Sequence, residues 1–280
     1  MIDPTLPPHD WLRRFLEVHT GNLGSERSDA AIDTRLRSLI TGRQLGDAAG
    51  LVQALRAVSG DRVRQASDPL VVDVLAALLN NETSFFRDPH CFDGLRDHVL
   101  PELMKSRRTT RKLTIWSAAC SAGQEPYSLA MLLQDDLADE LRRVRVDILA
   151  TDASASMIER VRQGRYSTLE LGRGISDERR ERWFTPDSSQ WQIDARLRAM
   201  VQPQVLNLTA KWPPRPRIDL VLLRNVMIYM GPETRQAILG KLRQVMAPDG
   251  ALVLGGPESL LSTEHFTRQT YGRLRVYRPN

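Results

Sequence analysis

The residues able to do chemistry in this chain gather at the predicted ends of strands. The stretch Leu113–Leu133, LTIWSAACSAGQEPYSLAMLL, reads as a buried strand, a turn of small residues and a helix. Leu113–Ala118 is short, apolar and partly β-branched, as a strand covered on both faces should be. Ala119, Cys120, Ser121, Ala122 and Gly123 would let a ligand approach the backbone, and Pro126 suits the first turn of a helix. A pyrophosphate site here would carry G-x-G-x-x-G. Instead Gly123 stands alone and Glu125 sits at the helix start. A carboxylate would repel a diphosphate and suit a ligand with an ammonium or hydroxyls, such as the amino-acid end of S-adenosylmethionine. It would equally favour the positive end of a helix dipole, and this stretch alone leaves both readings open.

Two more such stretches follow. Val144–Ala150 reads as a second strand ending in Thr151-Asp152, and an acid there is where open α/β sheets hold ribose hydroxyls. Ile218–Leu223 reads as a central strand ending in Arg224-Asn225-Val226-Met227-Ile228-Tyr229, whose polar groups would face the ligand crevice. Upstream lies Asn81-Glu-Thr-Ser-Phe-Phe-Arg87-Asp88. Arg87 beside two Phe rings reads either as a cation at the edge of an apolar pocket or as the partner of Asp88 beside core rings.

The elements that must position these residues follow from the pattern. Residues 1–70 read as a small helical domain: Trp11, Phe15 and Val18 recur at helical spacing, Ser28 or Asp29 would cap a helix carrying Ile32, Leu36, Leu39 and Ile40, and Ala48–Val58 is amphipathic. Asp68-Pro69 marks a possible linker, Val71–Leu79 resumes a helix, and residues 71–280 would hold the α/β domain with that linker at its start. Ala155–Gln163 is its next helix. Residues 164–203, charged and with short strand-like pieces, interrupt the βα alternation as an inserted β-subdomain. Pro232 opens a helix to Met246, Ala251–Leu254 is a strand, and Phe266–Tyr271 with Leu274–Tyr277 around Gly272 forms a hairpin.

Composition narrows the class. Over 280 residues, 41% hydrophobic and 26% charged content is ordinary for a globular protein. No apolar run could span a membrane, the N-terminus lacks a signal pattern, and two cysteines, Cys91 and Cys120, suggest reduced thiols in the cytoplasm. The histidines show no zinc spacing with cysteine, so no metal is expected. A net charge of +5 points to an acidic partner, but no basic stripe interleaved with aromatics suggests nucleic acid. Arg35, Arg37 and Arg43 would either form a basic helix face or a solvated surface.

NETSFFRD (Asn81–Asp88), IWSAACSAGQEPYSLAM (Ile115–Met131) and LLRNVMIYM (Leu222–Met230) together resemble CheR-type chemotaxis methyltransferases in order and spacing, over nearly the whole chain. The resemblance implies a Rossmann-like α/β methyltransferase sheet with an inserted β-subdomain, preceded by an all-α domain. It implies a cytoplasmic monomer that methylates glutamates on the helices of methyl-accepting receptors with S-adenosylmethionine. The cofactor site would comprise Asn81, Thr83, Arg87, Glu125, Asp152, Asn207, Leu208, Arg224 and Asn225. Glu125 would hold the methionine ammonium, Asp152 the ribose, and Asn207 and Leu208 would lie by the adenine. Arg87 and Tyr229 would place the substrate carboxylate, and by analogy Arg35, Arg37 and Arg43 would read the receptor. A glutamate is already an anion at neutral pH, its pKa being about 4.3, so no general base is required. One departure stands out. Some members dock a receptor's C-terminal pentapeptide on a Gly-x-Gly loop of the β-subdomain, whereas TPDSSQWQIDAR here is short and glycine-free, so no such tether is expected. Competing readings are a methyltransferase of RNA or a small molecule, and a non-catalytic cofactor sensor.

Overall fold

Apolar runs too continuous for one-sided burial become the central strands. β1 (Lys112–Ala118), β2 (Arg145–Asp152), β3 (Arg165–Tyr166), β4 (Phe184–Asp187), β5 (Gln190–Ile193), β6 (Val201–Val205), β7 (Ile218–Leu223), β8 (Met246–Leu254), β9 (Phe266–Tyr271) and β10 (Leu274–Pro279) follow in chain order. β7 is buried throughout and β1 along all but its first residue, as strands sandwiched between helices are. The computed structural model describes residues 2–24, 27–58, 68–260 and 264–280. In it, seven strands form one sheet in the order β6-β2-β1-β7-β8-β10-β9. β6, β2, β1, β7 and β8 are parallel, and β10 runs antiparallel to both β8 and β9. The order reverses between β1 and β7, which puts a ligand crevice at the carboxyl ends of those strands. This is the expected Rossmann-like architecture. β3, β5 and β4 make a second, three-stranded sheet within the inserted segment, and β6 returns the chain to the main sheet beside β2.

Packing divides the chain into two units, Met1–Asn80 with Tyr229–Arg235, and Asn81–Ile228 with Gln236–Asn280. In the first, helices Pro8–Thr20, Asp29–Gly42, Ala48–Ala57 and Pro69–Leu78 bury Leu12, Phe15, Leu36, Leu51, Leu55 and Val71 together. Ser28 caps the second helix, accepting from Ala31 N. Two expectations need correcting. Val18 is 50% exposed, and the buried stripe runs through Leu12 and Leu16 instead. Asp68-Pro69 is a helix start: Asp68 accepts from Leu70 N and Val71 N, and Leu70, Val71 and Val74 enter the helical core, so this unit continues to Asn80. The parts of the expected helical domain at 25–26 and 59–67 lie outside the described residues. Tyr229–Arg235 joins this unit through Leu23 N donating to Tyr229 O and an Asn22–Met230 bridge.

Candidate functional site

The turn after β1 is held in a costly shape. Ala119 (φ 58°), Ser121 (φ 50°) and Gly123 (φ 96°) all adopt left-handed backbone, which non-glycine residues rarely do without support. The support is visible. Cys120 N donates to Thr151 O at 2.9 Å, Ser121 N to Asp152 Oδ2 at 2.9 Å, and Tyr166 OH to Ala122 O at 2.8 Å. Ser121 Oγ donates to Asn81 O at 2.9 Å, tying the turn to the NETSFFRD segment. Phe86, Asp88 and Asn225, in the segments that meet this turn, also have positive φ.

Glu125 stands in the first turn of the helix Gln124–Asp136, beneath that loop. Ser117 Oγ donates to its Oε1 at 2.7 Å and Arg224 to its Oε2 at 3.0 Å. Arg224 also donates to Asp88 Oδ2 at 2.8 Å and to Arg87 O at 2.7 Å. The Arg224 side chain is only 3% exposed, against 13% for Glu125 and 33% for Asp88. Two carboxylates therefore share one guanidinium, and the cluster carries one negative charge in surplus.

Asp152 closes β2 and is buried. Its Oδ1 accepts from Ser154 N and its Oδ2 from Ser121 N, each at 2.9 Å. Burial pushes its carboxyl above the ordinary aspartate range, against the backbone hydrogen bonds that favour the anion. A carboxylate offers about four acceptor positions, and with the Ala153 amide also donating three are engaged, which leaves one direction for a hydroxyl. Beside it, Leu206 N donates to Asp152 O, and Asn207 and Leu208 follow at the end of β6. Asn207 Oδ1 receives Thr209 N and Oγ1, and Leu208 O receives Trp212 Nε1.

The structure thus brings Asn81, Glu125, Asp152, Arg224 and Asn225 to one sheet edge, with Asn207 and Leu208 along it. Thr83 lies in the same loop as Asn81. Arg87 is half-buried, and its guanidinium donates to Glu82 O at 3.0 Å. Asp88 pairs with Arg224 and not, as one reading had it, with Arg87. Phe85 and Phe86 are core: Phe85 meets Tyr166 and Phe184 edge-on, and Phe86 meets Phe92. In the helical unit, Asn80 Nδ2 donates to Tyr229 OH at 2.7 Å. Arg35 donates to Ala77 O and Leu79 O, Arg43 pairs with Asp73 beyond the helix end, and Arg37 is exposed. Residues 35 and 37 project about 200° apart on a helix, so these three arginines do not make one continuous face.

Cys120 and Cys91 are buried free thiols. Burial pushes Cys91 up to about 11 and Cys120 well above its ordinary value, which suits small packed side chains rather than nucleophiles. Trp183 is core, its Nε1 donating to Asp135. No group of His, Cys, Asp and Glu among the described residues is placed to hold a metal, and no described helix is long and apolar enough to cross a membrane.

The donor set fits S-adenosylmethionine: a surplus acid for an ammonium, a buried acid with a spare lone pair for a hydroxyl, and a small-residue turn between them. Sequence reading missed Ser117 and Asp88 as holders of Glu125 and Arg224, Tyr166 as a brace of the turn, and Glu258. Only Tyr166 had a local signal, as an aromatic beside the helix end at Gly164.

Residues 81–274 match the family described as CheR methyltransferase, SAM binding domain. The chain is 37% identical over 251 residues to chemotaxis protein methyltransferase 1 of Pseudomonas aeruginosa, covering 89% of this chain and 88% of that one. It is 36% identical over 249 residues to a chemotaxis protein methyltransferase of Vibrio parahaemolyticus, covering 88% and 87%.

Proposed function

The chain belongs to the CheR methyltransferase family, and on that premise we propose that it methylates glutamate side chains of chemoreceptors, leaving glutamyl methyl esters. That activity is carried by the likeness to chemotaxis protein methyltransferases over most of the chain, and the surplus negative charge of the Glu125–Arg224–Asp88 cluster at the carboxyl edge of β1 and β7 supports its donor, whose ammonium it suits. S-adenosylmethionine is the cofactor, and when bound it supplies an electrophilic methyl on a sulfonium, released to a carboxylate oxygen as the C–S electron pair stays on sulfur.

The protein's own residues then have limited work. Glu125, held by Ser117 and Arg224, receives the ammonium, and Asp152 receives a ribose hydroxyl. Asn81, Thr83 and Asn225 complete the walls of that crevice, and Asn207 and Leu208 border the adenine. Arg224, buried behind Glu125, acts by holding it. No proton moves, because the attacking glutamate is already ionised. Two charges disappear in the reaction, so a water-poor site favours it. Alignment is what the protein adds. Arg87 orients one oxygen of the substrate carboxylate, leaving the other to attack, and Tyr229 shares in placing it. Of the three arginines expected to read the acidic receptor helix, Arg37 is the one assigned to it, since Arg35 and Arg43 are engaged by carbonyls and an acid of their own unit. The protein works as a cytoplasmic monomer.

β4 and β5 pair in register from Phe184–Ile193 to Asp187–Gln190, so only Ser188 and Ser189 connect them. This closed, glycine-free hairpin supports action without a C-terminal pentapeptide tether. The test of the activity is transfer of a tritiated methyl to the same organism's receptors, base lability of the label, and mapping of the labelled peptide. Label on RNA, or none on receptor, would overturn the reading.

A further inference from the structure

Five backbone amides converge on a carboxylate that belongs to none of the motifs above. Glu258 is 4% exposed. Its Oε2 accepts from Asn225 N and Gly255 N, both at 2.7 Å. Its Oε1 accepts from Val226 N at 3.0 Å, Met227 N at 2.8 Å and Ile228 N at 3.3 Å. The two loops it joins leave neighbouring parallel strands, since Leu223 of β7 pairs with Leu254 of β8. Both therefore start at the carboxyl edge of the sheet, where the site lies.

The fit is built from both sides. Glu258 N donates to Gly255 O at 2.9 Å, closing a tight turn that aims the carboxylate back at the neighbouring loop. A Cβ on Gly255 would stand 2.8 Å from Asn225 N and from Glu258 Oε2, so only glycine lets the loops approach this closely. Asn225 itself has φ 59°, a conformation that needs outside support. Consecutive amides pointing one way make an anion-binding nest, and here the chain fills the nest with its own acid. Without it, Asn225–Ile228 would have to find other acceptors for four amides.

This loop starts after Arg224, the holder of Glu125, contains Asn225, and runs directly into Tyr229. We propose that Glu258 is a positioning residue for methyl transfer, its carboxylate setting the course of Asn225–Ile228 and so the presentation of Asn225 at the crevice. The inference rests on the activity proposed above. Glu125 keeps its Ser117 anchor and Asp152 its two backbone donors, none of them on this loop, so loss of Glu258 spares most of the donor's binding and costs turnover.

The experiment compares wild type with Glu258→Gln, which replaces one acceptor oxygen with a donor, and with Glu258→Asp, which keeps the charge on a shorter arm. S-adenosylhomocysteine affinity, receptor methylation rates and amide hydrogen exchange across 224–231 are measured. Asp249→Ala, at the opposite end of the sheet, serves as a control for general destabilisation. In Glu258→Gln, kcat should fall by about 10-fold or more, affinity should change by only a few-fold, and the loop amides should lose protection. Glu258→Asp should recover part of kcat. Unchanged turnover, an affinity loss as large as the turnover loss, or an equal kcat loss in the control would each overturn the inference. A wild type that methylates no receptor would overturn the activity and this role together, whereas an active wild type with an equally active Glu258→Gln sinks the role alone.

Discussion

Replacing Glu125 by Gln removes one negative charge while keeping the side chain's shape. In the wild type, one guanidinium balances two carboxylates, Glu125 at 3.0 Å and Asp88 at 2.8 Å. On the proposed reading, the surplus charge is what an incoming ammonium would meet. The Glu125 side chain is 13% exposed, so solvent screens this interaction far less than a surface pair. A hydrogen bond to a charged group contributes about 1.5–3 kcal/mol, which corresponds to an affinity loss of about 10- to 150-fold. Calorimetric titration with S-adenosylhomocysteine should show that loss. The same titration with 5′-methylthioadenosine, which lacks the amino-acid end, should show almost none, because Asp152 is held by Ser121 N and Ser154 N and not by Glu125. An equal loss for both ligands would mean that Glu125 only shapes the turn. No loss for either would remove it from the site.

Three further outcomes follow from the same geometry. Arg87→Ala should lower single-turnover methyl transfer by about 100-fold with little change in S-adenosylhomocysteine affinity; equal losses, or normal single-turnover chemistry, would refute its orienting role. A receptor-type C-terminal pentapeptide should give no micromolar complex in calorimetry with this chain, and a tight complex would refute tether independence. The hydrogen bond from Arg107 holds the Asp249 carboxyl below its ordinary value. A depressed carboxyl adds stability above the unfolded pKa, about 3.9, and loses it as pH falls through the folded value. Melting temperature should therefore drop less steeply below pH 4 in Asp249→Asn than in wild type.

What the sequence revealed and what it hid divide along a physical line. Strand ends are legible because their buried runs are local: Ile218–Leu223 and Asp152 at the end of β2 stand where periodicity puts them. Partnerships are not local. Asp88 reaches Arg224 across 136 residues of chain, and Glu258 reaches Asn225 across 33. Nothing in either neighbourhood marks the pairing. Asp68-Pro69 misled for a related reason. The dipeptide suits a linker and a helix start equally, and only burial of Leu70 and Val71 decides between them. Arg35 and Arg43 looked like a surface charge pattern, yet Arg35 binds the carbonyls that end the helix Pro69–Leu78, and Arg43 pairs with Asp73 on that helix.

The inserted subdomain packs like a wall against two segments that carry candidate site residues. Tyr166 of β3 donates to Ala122 O in the turn after β1, and Phe184 of β4 packs edge-on against Phe85. Gly174 makes the closest approach. Its φ is 98°, and a Cβ there would stand 2.0 Å from Phe85 O, a backbone atom with no rotamer to escape into. Gly174→Ala must therefore move either the subdomain or the NETSFFRD segment, and it adopts a strained φ as well, at a cost of about 1–3 kcal/mol. For a protein of this size that lowers the melting temperature by about 2–4 °C per kcal/mol. Nearby Gly172 has no positive φ, and a Cβ there would meet nothing closer than 3.4 Å, so Gly172→Ala should melt like wild type. If the subdomain supports the site, Gly174→Ala should weaken S-adenosylhomocysteine binding in the fraction that stays folded, because Phe85 shares its segment with Asn81, whose carbonyl anchors Ser121. A destabilised Gly174→Ala protein that still binds with wild-type affinity would show that the wall and the crevice are mechanically separate.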